Sequence, residues 1–574
     1  MKLISGNLPA QVCSWSCYHT RITQRSLMQS SFDPLLEIWL ASRVPRMADY
    51  RASLAEFRQW VLTEVDAQAN YTDRYAPPSL ETYDRNGERV NRIVCNRWYQ
   101  EQHRELYRRG IIGLPYLEHA PHLITFTMGY LLAQADISLH CPVTLTGAVA
   151  YVLATHSPDT IRQRYLYDLI RTDGQAKSGG TWVTEQHGGS DVGATTTVAK
   201  PNAGRFALHG LKWFASNANS GLALATARPE SAPQGSAGLG LYLVPSHLED
   251  GHPNHFRIRR LKDKLGTKGL PTGEIDLLGA EAIEIAPPPL GFKLMMEALE
   301  YSRVHNAVGS AGIQRRCLEE ALSWAKSRHA FGQPLISYPM VQDELLRMRV
   351  QFEAGALLAF EAAIAFDAAQ QVSGHYTWLR LVTALAKYLT AEYAIAASRS
   401  ALELIGGNAY TSDCPVARLL RDAQVLTVWE GPANIQALEL LRVLTPQYQG
   451  WERYCNRIQT TLDGLPDDLS HLRQSLELRL EADHEALRVT LQDENSSQRY
   501  ARKLLHRMSQ TLAFALLCET AGEVHSQGKS LPAHSAQRYY EEIEAMAIGH
   551  ENQAARRGVL ELLSEEHSAV SNPQ

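Results

Sequence analysis

The chain has 574 residues and a mass of 64.0 kDa, a length that suggests about four structural units at ~150 residues each. Hydrophobic residues make up 45% and charged residues 20%, with 38 Gly and 26 Pro, which excludes collagen-like and wholly disordered chains. A net charge of −5 and a pI near 6.5 give no global basic field to recruit nucleic acid or an acidic membrane.

The opening residues, Met1 to Pro9, lack the apolar run of a signal peptide, and no uninterrupted apolar run reaches membrane-spanning length. The first thirty or so residues are poorly patterned, and Met28 is read as a second candidate start. The cysteines Cys13, Cys17, Cys95, Cys141, Cys317, Cys414, Cys455 and Cys518 are scattered and form no CxxC pair. They read as reduced thiols of a cytoplasmic protein, and no metal site is expected.

Residues 1–32 are taken as an extension and 33–178 as a helical domain. Asp33 before Pro34 reads as an N-cap followed by a proline at the first helical position. Helical spacing continues through Trp98 to Tyr107 and Ile124 to Gln134, interrupted by a turn at Tyr83-Asp84-Arg85-Asn86-Gly87. From 179 to 288 short alternating runs appear at Arg205–Gly210, Gly221–Thr226 and Leu239–Val244, separated by turn-rich segments. They predict a compact β domain. Pro287-Pro288-Pro289 marks its end. Helical periodicity returns over 289–444, where Leu318, Leu322 and Ala325 share one face and Leu345, Met348 and Phe352 another. Residues 445–574 predict a further helical extension. The expected class is therefore α+β and multidomain. There is no βαβ alternation, and Gly235 to Gly240 has the wrong spacing for a dinucleotide loop.

Five segments carry chemistry. Thr184-Glu185-Gln186-His187-Gly188-Gly189-Ser190-Asp191 pairs adjacent glycines with two hydroxyls, which suits a flat heterocycle or a phosphate. Alone, it is a weak signal that reads more readily as a plain β-turn. His209 to Asn217 contains Lys212, Trp213, Phe214 and Ser216. Ser327 to Leu335 contains Arg328, Phe331 and Gly332. Leu404 to Ala409 contains Gly406 and Gly407. In Val428 to Gln436, Glu430 is flanked by apolar residues just ahead of a helix that Gly431-Pro432 is expected to open, with proline near N1 and Ile435, Leu438 and Leu441 on the buried face. Desolvation raises the pKa of such a carboxylate, and the helix dipole opposes that.

Together these segments resemble the acyl-CoA dehydrogenase flavoprotein family, in family order over about Leu80 to Val443. The first resembles Thr-Glu-Pro-x-x-Gly-Ser-Asp, with Gln186 in place of proline as in the AidB-like branch. Ala76 to Asp84, Leu139 to Thr146 and Arg442 to Leu444 are also similar to that branch. The resemblance implies an N-terminal helical domain, a middle β domain, a C-terminal helical bundle and FAD as cofactor. It assigns Thr184, Ser190, Phe214, Ser216, Arg328, Phe331, Gly406, Gly407 and Asn434 to cofactor binding. Phe214 takes the place of a flavin-stacking tryptophan; Trp213 stands one position earlier, so two rings compete for that role. Ser216 replaces a threonine near flavin N5. Arg328 matches an arginine that meets the FAD pyrophosphate. Gly406 and Gly407 match glycines that approach the adenosine half from a neighbouring subunit. Glu403 stands where most members have glutamine and is expected to point elsewhere. Lys264 to Gly269 and Arg421 to Ala423 also resemble family segments.

Glu430 matches the catalytic base, Arg303 is assigned to substrate binding, and Pro432 replaces a hydroxyl residue that helps hold FAD. The implied reaction is α,β-dehydrogenation of an acyl thioester, on coenzyme A or an acyl-carrier protein. An electron acceptor such as an electron-transfer flavoprotein, and a homotetramer, follow from the same likeness. An AidB-like DNA-associated role and an oxygen-using oxidase are the alternatives. From Thr445 onward there are 13 Arg plus Lys against 19 Asp plus Glu. Arg499, Arg502, Lys503 and Arg507 form a local basic stripe, but the acidic balance disfavours DNA.

Overall fold

The computed structural model describes residues 33–544 except positions 45 and 526. Cys13, Cys17, Met28, Glu565 and Glu566 therefore lie outside the described residues. The described residues open with α1 (Pro34–Arg43), α2 (Met47–Trp60) and α3 (Asp66–Tyr75). Asp33 does cap α1: its carboxylate accepts from the Leu35 N–H at 3.0 Å, and it also pairs with Arg349 at 2.6 Å. The segment read as a simple turn is the tip of a hairpin, β1 (Ser79–Tyr83) with β2 (Arg89–Val94). Asp84 organises that tip by accepting from the N–H groups of Asn86 and Glu88, and Gly87 supplies φ +80°. The strands escaped the sequence reading because most of their residues stay at least partly exposed, leaving no clean apolar alternation.

Next come α4 (Arg97–Arg108), α5 (His122–Ala133), α6 (Ile137–His156) and α7 (Asp159–Ile170). Helix α6 is buried and mostly apolar on every side, as suits a helix at the centre of a large protein. By length and hydropathy it could cross a membrane, yet 94% of its most apolar window is buried inside the protein. Asp136 caps it through the Ser138 and Leu139 N–H groups.

The middle domain contains β3 (Gly179–Trp182), β4 (Val198–Asn202), β5 (Arg205–Ser216), β6 (Leu222–Pro229), β7 (Gly240–Pro245), β8 (Phe256–Leu261) and β9 (Thr272–Ala286). The order β6-β4-β5-β9-β7 closes on itself because β7 also pairs with β6; β3 adds to β6 and β8 to β9. The result is a barrel, which removes most open sheet edges. At its heart Lys212 is fully buried and bonds Glu185 at 2.9 Å and the Thr226 carbonyl at 2.9 Å. Glu185 also accepts from the N–H and hydroxyl groups of both Thr196 and Thr197. Burial would push this carboxyl up, but the Lys212 charge and the threonine bonds hold it down at about 2.

Helices α8 (Leu290–Ser327), α9 (Pro339–Gln371), α10 (Tyr376–Ile405), α11 (Pro415–Leu426) and α12 (Ala433–Val443) form the C-terminal bundle. The expected faces hold: Leu318, Leu322, Ala325, Leu345, Met348 and Phe352 are all buried. The β domain docks on this bundle through close backbone approach. A Cβ on Gly266 would lie 2.5 Å from the Arg421 carbonyl oxygen, and the Thr267 N–H donates to Asp422 at 2.6 Å. The extension contributes α13 (Gly450–Gly464), α14 (Ser470–Thr490), α15 (Glu494–His525) and α16 (Leu531–Glu544). Helix α15 packs against α9, α10 and α12, so the extension belongs to the same core.

Two stability outcomes follow. Lys212→Met strands a buried carboxylate, and urea unfolding at pH 7 should show a loss of about 3–5 kcal/mol. Because the Glu185 pKa is depressed, its contribution is complete above the usual carboxylate range and fades as pH falls towards about 2. Without Lys212 that fading should begin at higher pH; unchanged stability would contradict the ion pair's role. Gly266→Ala should cost about 1–3 kcal/mol, because the opposing atoms are backbone and cannot step aside. Gly464→Ala, which meets nothing within 4 Å, should change thermal unfolding little.

Candidate active site

Glu430 sits in the short connection between α11 and α12. Its φ is +56°, and Gly431 follows at +95°. Two consecutive left-handed residues turn the chain sharply, which a glutamate tolerates only when its surroundings over-determine the turn. They do so here. The Arg303 Nε and the Gln436 Nε2 each donate to the Glu430 carbonyl at 3.0 Å. The Gly431 carbonyl accepts from Gln436 at 3.0 Å and from the Lys387 Nζ at 2.8 Å. The carboxylate itself is left alone: Oε2 is buried without a hydrogen-bond partner. Burial raises its pKa to about 7, against the opposing charges of Arg303 and Lys387. Among the described residues, the Glu430 N–H also donates to no other protein group.

The helix after Glu430 differs from expectation. Pro432 is the N-cap residue, one place earlier than N1. The buried face is Gln436, Ala437, Glu439, Leu440 and Val443, while Leu438 is 54% exposed. Seating the Gln436 amide under the turn rotates the helix away from the purely apolar face read from sequence.

Around Glu430, Cys141, Leu145 and Leu270 form a small apolar cluster covered by Trp429. Cys141 is near enough to Ser216 and Glu430 for both to act on its thiol: burial and the Glu430 charge push it up to about 12, while Lys264 and a hydrogen bond with Ser216 oppose them. Ser216 stands 3.5 Å from the Thr272 hydroxyl, to which the Lys264 Nζ donates at 3.1 Å. The end of β5, the loop before β9, α6 and the Glu430 turn thus converge on one place.

The two candidate rings on β5 are separated by their surroundings. A register shift between Lys212 and Ala215 bulges the strand at Trp213 and Phe214. The Lys262 Nζ lies 3.6 Å from the Trp213 ring centre and 4.8 Å from that of Phe214, and bonds Glu274 at 2.6 Å. Phe214 stays 53% exposed, and two residues on along the strand lies Ser216.

In the glycine-rich loop, Thr184 accepts from the Trp213 N–H at 2.8 Å, while Gln186 to Ser190 are exposed. Gly188 has φ +133° and faces open space; a Cβ on Gly189 would strike the Thr184 hydroxyl at 2.6 Å. A cleft of about 350 Å³ opens between Glu185, Gln186, His187, Thr196 and Leu211, and Glu430 is not among its walls.

Of the remaining residues, only Arg303 bonds Glu430. Arg328 is exposed at the end of α8. A two-stranded hairpin follows it, β10 (His329–Ala330) with β11 (Gln333–Pro334). The turn between them is Phe331-Gly332, both at positive φ, with Phe331 96% exposed. Gly406 ends α10 at φ +78°, and a Cβ on Gly406 or Gly407 would meet nothing within 4 Å. Glu403 is exposed, 3.8 Å from Arg399, and Asn434 is exposed beside the start of α12. Arg303, expected to meet substrate, lies buried behind the Glu430 turn, where it holds the Glu430 carbonyl and pairs with Glu300.

The sequence reading missed Lys387, Gln436, Cys141 and the Lys212–Glu185 pair. Lys212 left a trace, a cation set between Leu211 and the rings of Trp213 and Phe214; the others left none. The donor set suits a flavin dinucleotide: an exposed ring and a hydroxyl near each other, an exposed arginine, and glycines with open space where a Cβ would stand.

Comparison with known proteins bears on the family and the fold. The chain matches the adaptive response protein AidB N-terminal domain over residues 24–173, the acyl-CoA dehydrogenase middle domain over 180–279, and the acyl-CoA dehydrogenase C-terminal domain over 290–445. It is 31% identical over 472 residues to acyl-CoA dehydrogenase family member 11 of Caenorhabditis elegans, covering 78% of this chain and 75% of that one. It is 31% identical over 384 residues to the putative acyl-CoA dehydrogenase AidB of Escherichia coli, covering 65% and 70%. Among solved structures, Caenorhabditis elegans ACDH-11 in complex with C11-CoA superposes with a TM-score of 0.82 at 26% identity, covering 94% of each chain. The Bd2924 apo-form gives 0.77 at 27% identity, covering 85% of this chain and 97% of the other. With its helical N-terminal domain, middle barrel, helical bundle and added C-terminal helices, the chain belongs to the acyl-CoA dehydrogenase family and carries an AidB-type N-terminal domain.

Proposed function

We propose that the chain is an FAD-dependent acyl-CoA dehydrogenase that introduces an α,β double bond into an acyl thioester. The observation that carries this reading is the buried, unpartnered Oε2 of Glu430, held on a rigid turn against an apolar cluster. A thioester α-proton is weakly acidic, so its removal needs a base of raised proton affinity and a polarised carbonyl. Desolvation supplies the first. The unengaged Glu430 N–H can serve the second, as a fixed dipole in a water-poor site. Bound FAD would supply the hydride acceptor. Phe214, Ser216, Thr184 and Ser190 would hold its isoalloxazine end. Arg328, Phe331, Gly406 and Gly407 are exposed on a single chain, which supports their serving an FAD site shared with a neighbouring copy, in a tetramer. Pro432 offers no hydroxyl there, so that part of the hold rests on other residues.

The C11-CoA complex of the ACDH-11 structure supports a coenzyme A thioester over a carrier-protein one. An electron-transfer flavoprotein would accept the electrons. DNA binding through the extension is disfavoured: Arg507 is paired with Asp483 at 2.7 Å and Arg502 with Glu392 at 3.4 Å, which takes up two of the four cations of the basic stripe.

The test is anaerobic mixing of FAD-loaded protein with a series of acyl-CoA thioesters while flavin absorbance is followed. Bleaching by at least one of them is expected, with Glu430→Gln retaining FAD but reducing flavin roughly a thousandfold more slowly. Normal bleaching in that variant removes Glu430 from the role of base. Because the base acts ionised and its pKa is raised to about 7, the reduction rate should fall as pH drops below about 7. Peroxide formed stoichiometrically in air would favour the oxidase reading.

A further inference from the structure

Among the described residues, Lys387 is the one ammonium group that bonds the Glu430–Gly431 turn, and the proposed reaction does not use it. It is buried near the middle of α10, a position that ordinarily requires a paired anion. Instead its Nζ donates to a neutral acceptor, the Gly431 carbonyl, at 2.8 Å. We propose that Lys387 is a positioning residue for Glu430: it fixes the left-handed turn through the Gly431 carbonyl and keeps the carboxylate ionised by its charge, without occupying either carboxylate oxygen. This rests on Glu430 being the base.

The geometry separates two demands that usually conflict. A cation bonded directly to Glu430 would stabilise the ionised form but block the oxygen that must take the proton. Placed behind the adjoining peptide, the charge acts through space and Oε2 stays open. The groups facing Glu430 are Arg303 from α8, Lys387 from α10 and the Cys141 thiol from α6. Those facing Lys387 are Arg303, Glu430 and Glu392. Burial, with the like charge of Arg303, pulls Lys387 down to about 7, so its titration and that of Glu430 are linked and the observed midpoint belongs to the pair.

The experiment compares full-length, FAD-loaded wild type, Lys387→Gln and Lys387→Arg. Glutamine keeps a donor for the Gly431 carbonyl and removes the charge; arginine keeps the charge. The probe is a 3-thia-acyl-CoA, in which sulfur replaces the β-carbon, so the α-proton can be removed but no β-hydride exists to transfer. The pH dependence of its long-wavelength absorbance with oxidised flavin reads proton transfer at Glu430 and its linked neighbours without any hydride step, while bleaching of wild type by an ordinary acyl-CoA checks the underlying function separately. Lys387→Gln should move the midpoint to higher pH by about one unit, making deprotonation about tenfold less complete below the midpoint, and Lys387→Arg should restore most of it. An unmoved midpoint in Lys387→Gln, or an equal shift in both variants, overturns the proposal. So does failure of both variants to retain FAD, which would assign Lys387 to folding alone. Wild type that never bleaches would instead fault the dehydrogenase reading.

Discussion

Two backbone carbonyls, those of Glu430 and Gly431, set the constraint on which the site depends. Both belong to residues at positive φ, so neither can join a helix, and both point into the bundle. Three side chains from three helices satisfy them: Arg303 from α8, Lys387 from α10 and Gln436 from α12. A buried carbonyl without a partner would cost about 1–3 kcal/mol, so the turn and the bundle select each other. Once the carbonyls face inward, the carboxylate must face outward, towards Cys141, Leu145, Leu270 and Trp429. Glu430 is placed by what its backbone must do, and its side chain is left unbonded as a consequence.

The same bundle explains how the C-terminal extension belongs to the fold. Arg457 on α13 bonds Glu361 on α9 at 2.8 Å and Glu519 on α15 at 2.8 Å. Glu519 also pairs with Arg43 at the end of α1, at 2.7 Å. One chain of partly buried charges thus ties the first helix, the bundle and the extension. At the middle of α15, Tyr388 meets His506 at 3.3 Å and the Ser509 hydroxyl donates to the Leu385 carbonyl at 3.2 Å. Those contacts fall on α10, the helix that also carries Lys387. Removing such a layer would expose the back of the bundle, so the extension reads as structural support for the site.

Much of this was legible in the sequence where function forces local pattern. Glu430 is announced by its neighbours, the β strands by turns and alternation, and the long helices by their apolar faces. What stayed hidden depends on partners far apart in the chain. Lys387 lies 43 positions before Glu430 and reads as one more helical lysine. Gln436 reads as polar surface, and its amide instead displaced Leu438 from the core. Arg303 is legible as important but not in its task, because only the folded turn shows that its guanidinium meets a carbonyl rather than open space. The hairpin at 79–94 was obscured for the opposite reason: little of it is buried, so packing left no periodic trace.

The charges behind Glu430 alternate outward. Arg303 pairs with Glu300, whose own pKa burial raises to about 7, and Arg380 bonds Glu439 at 2.6 Å alongside. Such a cluster is costly to bury and is not an efficient way to gain stability. Its effect at the turn is different. Coulombic attraction falls slowly with distance in a poorly solvated interior, whereas a hydrogen bond needs contact. A cation one peptide away therefore keeps most of its influence on ionisation and none of its hold on the proton-accepting oxygen. In the proposed reaction a proton arrives and later leaves at that oxygen, and this separation of charge from contact lets a buried carboxylate be both ionised and available.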